Sequence, residues 1–200
     1  MKVTILGCGG ATGTPAVGLG WGRIDSKNPK NNRLRSSILV ENKSTCILVD
    51  TSPDLRQQLL NANVNRLDAV LYTHYHADHL HGIDDLRQIN RSMNTAIDMY
   101  ADAETVACIR HRFNYVLEPL AVDVKMHYKP TLNPHTLKNG DKLTIGDVDI
   151  NVFVQDHGYC KSMGFRFGSI AYSTDVVEMP EEAFKILDGI DTWIIGTLID

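Results

Sequence analysis

The amino-acid sequence predicts an α+β fold in which two layers of sheet are flanked by helices. Short β-like runs recur along the chain, helical patterns are inserted between them only at intervals, and no internal repeat, low-complexity tract or linker divides them. Such an order suits two sheets, each burying one face and covered by helices elsewhere. The length of 200 residues, with 43% apolar and 22% charged residues, fits a single domain spanning residues 1–200.

The strands, in order, are Lys2 to Gly7, Ser36 to Glu41, Thr45 to Asp50, Ala69 to Thr73, Ile97 to Tyr100, Lys142 to Ile145, Val148 to Val154, Met163 to Phe167, Ser169 to Ser173 and Thr192 to Gly196. Pro53 suits a first helical turn, with Ser52 as N-cap, for a helix through Leu59 to Asn61. Asp84 to Arg91, Glu104 to Arg112 and Pro180 to Leu187 are the other helices. The stretch Met1 to Leu6 carries one basic residue and is too short for a secretory signal, and no run approaches the ~18 apolar residues of a membrane span. A cytoplasmic protein with no membrane partner is therefore expected. Cys8, Cys46, Cys108 and Cys160 are scattered, with no CxxC pair, and read as reduced thiols. Cys160, three residues after His157, reads first as a buried thiol and second as a residue lining a site. The net charge of −4, with Lys27 to Arg35 the one tight basic group, argues against a long nucleic acid as main partner.

The most informative segment is Thr73-His74-Tyr75-His76-Ala77-Asp78-His79. It follows the strand-like run Ala69 to Leu71, and half of the eight histidines fall between positions 74 and 81. In extended chain alternate side chains share a face, so His74 and His76 can grip one ion together. Asp78 and His79, after the turn, can reach a second. Imidazole suits zinc, iron or nickel, and an added carboxylate widens the choice toward manganese.

The pattern His74-x-His76-x-Asp78-His79, followed by Gly82, resembles the central motif of the metallo-β-lactamase superfamily of dinuclear hydrolases. Three more segments match in order: Asp50 after the apolar run Cys46 to Val49, His157 in Gln155-Asp156-His157-Gly158, and Asp175 in Tyr172-Ser173-Thr174-Asp175. The resemblance implies a four-layer αββα sandwich with metals at one edge of the sheets. It implies that His74, His76 and His157 hold one ion, that Asp78 and His79 hold the other, and that Asp175 bridges both. Asp50 would sit behind them, accepting a hydrogen bond from a ligand imidazole and fixing its tautomer. Two divalent cations, manganese or zinc, would lower the pKa of a bound water and clamp an in-line displacement, with Asp78 and Asp175 as the catalytic carboxylates.

The segments Leu6-Gly7-Cys8-Gly9, Asn32-Arg33-Leu34-Arg35-Ser36-Ser37, Val49 to Arg56 and His79 to Arg87 resemble the branch containing the phosphoribosyl cyclic phosphodiesterase of phosphonate breakdown. That implies hydrolysis of a ribose 1,2-cyclic phosphate or another small cyclic or nucleotide phosphodiester, so a small-molecule substrate is the expected partner; a homodimer is a separate expectation. Some members of the branch carry an N-terminal cysteine cluster for structural zinc, and Trp21 to Ser26 has none. Arg33 and Arg35, at i and i+2, are the candidate phosphate contacts, although a basic edge that discourages aggregation is the plainer reading. The run Gly7 to Thr14 is no dinucleotide loop, because Pro15 and a Gly- and Asn-rich stretch follow where a helix should open. It reads instead as a flexible turn beside the metal site.

A tRNA 3′-processing nuclease uses the same metal centre, but it needs an extended basic arm that the stretch from His79 to His157 does not supply. The family pattern also places one more histidine after the final strand. Here the run Thr192 to Ile199 reads as that strand, and no histidine follows His157. His81, two residues past His79, is badly placed to substitute. The expectations are therefore a fold lacking its C-terminal segment, a weak second ion and, at the extreme, a metal-binding protein with impaired catalysis.

Overall fold

The computed structural model describes residues 1–124 and 126–196. Among the described residues the strands form two sheets. The first is built from β1 (Lys2–Gly7), β2 (Ser37–Asn42), β3 (Thr45–Val49), β4 (Ala69–Leu71), β5 (Ile97–Asp102) and β6 (Leu132–Leu137), side by side in chain order. Its first two pairings are antiparallel and the last three parallel. The second contains β7 (Lys142–Ile145), β8 (Val148–Asp156), β9 (Lys161–Phe167), β10 (Ile170–Ser173) and β11 (Thr192–Ile195), with only the β10–β11 pairing parallel.

Strands with apolar residues on both faces explain the layering. Ile38, Val40, Ile47, Val49 and Leu71 point to the second sheet and pack on Val148, Ile150, Val152, Phe165 and Phe167. The alternate residues Leu39, Leu48 and Val70 face the helices. Those helices are α1 (Leu55–Asn61), α2 (Ala77–Leu80), α3 (Leu86–Met93), α4 (Ala103–Arg112) and α5 (Asn114–Leu117), which contribute Leu55, Leu59, Leu80, Leu86, Ile109 and Val116. On the far side, α6 (Glu181–Leu187) covers the second sheet through Ala183 and Leu187 against Phe153 and Ala171. Gly164 makes room for the Phe153 ring, since a Cβ there would lie 2.1 Å from a ring carbon. The result is the four-layer αββα order that the sequence resemblance implied.

Several boundaries move. The first helix starts at Leu55, two residues past Pro53, and Ser52 accepts the Asp54 N–H at 3.2 Å instead of capping the predicted helix. The predicted Asp84 to Arg91 helix opens as a 3-10 turn, Ile83–Asp85, and runs on to Met93. The prediction omits β6. Its middle residues, Asn133 to Thr136, are all exposed and include a proline, which only an edge strand tolerates. The end of the predicted last strand, residues 197–199, lies outside the described residues. Among the described residues no helix is long and apolar enough to cross a membrane.

Candidate metal centre

The site forms where the two sheets meet, from four short segments. Asp50 directly follows β3; its backbone turns into the left-handed region at φ +64° while its N–H still reaches Leu71 O at 2.9 Å. After β4 the chain runs extended through Thr73 to His76 and turns into α2, bringing Asp78 and His79 back toward it. Backbone bonds clamp this turn to the β3 loop: Thr51 N–H donates to His79 O at 2.8 Å, and Gly82 N–H to Thr51 O at 2.9 Å. Gly82 allows that approach, because a Cβ would sit 1.9 Å from Ser52 O. From the second sheet, the β8–β9 turn supplies His157, closed by His157 N–H to Cys160 O at 3.0 Å. The chain leaving β10 supplies Asp175 at φ +50°. A cross-sheet bond, Met163 N–H to Thr73 O at 2.8 Å, joins the halves beside the site.

Two ligand groups result. His74, His76, His157 and Asp175 present donor atoms within 4.8 Å of one another, and so do Asp78, His79 and Asp175. Asp175 is common to both. Its Oδ2 lies 3.3 Å from His79 Nε2, 3.4 Å from His157 Nε2 and 3.7 Å from His74 Nε2. Asp78 Oδ2 stands 3.3 Å from His79 Nε2, and His76 Nδ1 stands 3.3 Å from His157 Nε2.

Asp50, fully buried, sets the tautomers of both groups. It accepts from Thr73 N–H at 2.8 Å and from the Thr73 hydroxyl at 2.8 Å, and it faces His79 Nδ1 at 2.7 Å. The bond to Asp50 places a proton on His79 Nδ1 and aims Nε2 at Asp78 and Asp175. The Thr73 hydroxyl donates its hydrogen bond to Asp50, so its oxygen is left to accept from His74 Nδ1 at 3.0 Å. That leaves the His74 Nε2 lone pair pointing into the site. One carboxylate thus orients an imidazole in each group, as partners behind metal ligands commonly do.

The electrostatics agree. Burial, with His79 close by, pushes His74 down to about 2, so it stays neutral and keeps its lone pair. Burial, then His157, also lowers His76. Burial opposes charge on His79, but the Asp50 carboxylate and hydrogen bonds to Asp175, Asp50 and Asp78 hold it well above the ordinary imidazole value. Burial would raise Asp78 and Asp175, yet the His79 hydrogen bond and charge hold both below the usual carboxylate range.

This donor set fits a divalent cation. His74 Nε2 is buried with no hydrogen-bond partner, and at 3.7 Å from Asp175 it is too far for a hydrogen bond. A buried ring nitrogen left unpaired is costly, and a cation among borderline nitrogen and hard oxygen donors would satisfy it.

Both predicted arginines lie outside the two ligand groups. Arg35 is engaged, with Nη1 on Asp54 Oδ1 at 3.0 Å and Nε on Ala11 O at 3.0 Å. The exposed Arg33 lines a cleft of about 540 Å³ with Leu6, Cys8, Gln57 and Asn61. In the Gly-rich segment, Gly9 N–H bonds Leu34 O at 2.8 Å, and a Cβ on Gly7 would lie 2.0 Å from Arg35 O. His81 belongs to neither ligand group and packs edge-on against Phe113. Cys160 is half-buried with Sγ 3.8 Å from His76 Nε2, so it lines the site. Sequence reasoning missed Thr73 as a relay, although its place directly before His74 was a signal.

The family model described as "Beta-lactamase superfamily domain" matches residues 45–200. The chain belongs to the metallo-β-lactamase superfamily. The crystal structure of a new diphosphatase from the PhnP family superimposes with TM-score 0.84 at 30% identity, covering 96% of this chain and 71% of that one. Among curated relatives, the Octanoyltransferase of Porphyromonas gingivalis is 34% identical over 190 residues, 94% of this chain and 37% of the relative. The Ribonuclease Z of a Bradyrhizobium strain is 31% identical over 147 residues, covering 72% of this chain and 47% of that protein. Zinc-bound PqqB from Methylobacterium extorquens, at 21% identity and TM-score 0.75 over 98% of this chain and 72% of that one, shares the fold. The chain spans less than half the length of both curated relatives named here.

Proposed function

We propose that the protein is a metal-dependent hydrolase of small phosphodiesters or diphosphates, such as a phosphoribosyl 1,2-cyclic phosphate. The observation that carries this reading is the pair of ligand groups sharing Asp175 Oδ2, with the unpaired His74 Nε2 aimed at the same carboxylate. His74, His76 and His157 would hold one ion, Asp78 and His79 the other, with Asp175 between them. Divalent ions, when bound, acidify water and offset charge on a phosphodiester in flight. The protein's own part is positional. Asp50 and Thr73 hold two imidazoles in the tautomers that offer Nε2, and Thr174 donates to Asp175 Oδ1 at 3.0 Å, leaving Oδ2 for the histidines. Asp78 and Asp175 stay ionised at neutral pH and can accept a proton from attacking water.

The likeness to a PhnP-family diphosphatase supports phosphorus chemistry, and the Ribonuclease Z relatives support the same reaction on a longer substrate. A net charge of −4 favours the small substrate. The octanoyl transfer in one relative's name does not enter this reading, because the chain spans 37% of that protein. With three residues in the second group against four in the first among the described residues, the first ion would be held more firmly than the second. The test is turnover of a ribose 1,2-cyclic phosphate, bis(p-nitrophenyl) phosphate, a dinucleoside diphosphate and a tRNA precursor, each with added manganese and with zinc. Hydrolysis of the small substrates is expected; cleavage of the tRNA precursor alone would establish the nuclease reading.

A further inference from the structure

Beneath the Asp175 turn lies a buried polar pair that the chemistry above does not use. Gln155 on β8 and Ser162 on β9 stand directly opposite in the antiparallel register, at 0% and 1% exposure. Gln155 Nε2 donates to Thr174 O at 2.6 Å and to Ser162 Oγ at 3.0 Å. Ser162 Oγ in turn donates to Asp175 O at 3.2 Å. The amide therefore holds the two carbonyls on which the left-handed turn at Asp175 is built, one directly and one through the serine. Its orientation follows from its surroundings: flipped, its oxygen would face the Thr174 carbonyl. In the orientation that holds the turn, Oε1 is buried with no partner. A buried acceptor left unpaired is unfavourable, and an apolar side chain would avoid it, so the worth of Gln155 lies in its donors.

We infer that Gln155, with Ser162, is a positioning residue that fixes the backbone of Asp175, and so aims its Oδ2 between the two histidine groups. The inference rests on Asp175 being a metal ligand, as proposed above. A non-Gly residue at positive φ persists only where the surroundings hold it, and these two side chains bond both carbonyls at the strained point.

The test is zinc affinity, measured by competition with a chromophoric chelator, in Gln155→Met, Asp175→Ala and the double variant. Gln155→Met keeps the length and removes the donors, and should weaken zinc about 10-fold or more, the usual range for groups behind a ligand. In the Asp175→Ala background the same change should cost nothing further, since Gln155 acts through Asp175. Gln155→Glu should not rescue, because it turns an acceptor toward Thr174 O. Unchanged affinity in Gln155→Met, or an equal loss in both backgrounds, would overturn the inference; the second result is that of a purely structural residue. If Gln155→Met does not fold, Ser162→Ala carries the same expectation of a loss that vanishes without Asp175. Unchanged affinity in Asp175→Ala would instead remove the ligand assignment, and this inference with it. None of these outcomes depends on which substrate is hydrolysed.

Discussion

The two halves of the site are built in different ways. The first sheet delivers His74, His76, Asp78 and His79 from six consecutive residues, and its innermost imidazoles, His74 and His79, are each only 1% exposed in their side chains. The second sheet delivers His157 and Asp175 from two turns 18 residues apart, with side chains 20% and 29% exposed. In the first half buried side chains bond the rings themselves, Asp50 facing His79 Nδ1 and the Thr73 hydroxyl meeting His74 Nδ1. In the second the bonds act on the chain, with His157 N–H on Cys160 O and the Gln155 and Ser162 side chains on the carbonyls of Thr174 and Asp175. A contiguous motif can be oriented by one buried carboxylate, whereas ligands from separate turns depend on the turns.

The largest effect should come from the side that the carboxylate organises. His76→Ala should remove most of one metal equivalent and lower hydrolysis by more than about 100-fold, the upper end for losses behind a ligand, with folding intact. Elemental analysis and turnover measure both, and equal metal content in mutant and wild type would break the comparison. Asp50→Ala strips the acceptor from Thr73 N–H, the Thr73 hydroxyl and His79 Nδ1 at once. Breaking such a buried pair costs about 3 kcal/mol, so denaturant unfolding should show a marked loss and metal content should fall with it.

On the other side, Asp175→Ala should abolish the second step in a calorimetric metal titration while leaving the first recognisable; two unchanged steps would place Asp175 outside the site. Proton release sharpens the same contrast. His74, neutral down to about 2, gives up no proton on binding a cation, whereas His79, held well above its ordinary value mainly by Asp50 against burial, must lose one at neutral pH. Affinity at the Asp78, His79 and Asp175 group should thus rise with pH, with about one proton released at pH 7, read from titrations in buffers of different ionisation enthalpy. In the metal-free chain the two rings act with opposite sign on stability. The contribution of His79 is full below its unfolded value and is lost as pH rises through the folded one. That of His74 is a loss that grows as pH falls below about 6.5, where only the unfolded form takes the proton.

The smallest effects should separate the two arginines. Arg35, paired with Asp54, should cost stability by up to about 1 kcal/mol on truncation, after discounting for solvent, with little change in KM. Arg33→Ala should raise KM for a phosphodiester a few-fold if the cleft it lines holds substrate.

Much of the first half was legible because spacing alone puts alternate histidines on one face of an extended segment. His157, Asp175 and Asp50 were legible only through resemblance, since their meeting depends on how two sheets stack. The Gln155–Ser162 pair was not legible at all, because a cross-strand contact needs the register, and the turn between β8 and β9 sets it. Strand β6 hid behind four exposed positions, Pro134 among them, that look like loop. The role of Arg35 was obscured because its partner Asp54 lies 19 residues away.

The meeting of the two sheets has a consequence for how the protein comes apart. His76 and His157 are 81 residues apart in sequence, so an ion gripped by both closes a long loop through β5 to β8. Tying a loop of that size restricts the unfolded chain by roughly 4 kcal/mol in the manner of a disulfide, but this tie can be undone by a chelator. Without such an ion the second sheet would keep its apolar packing but lack this tether, and a protease given time should cut first in the connections that the tether would hold closed.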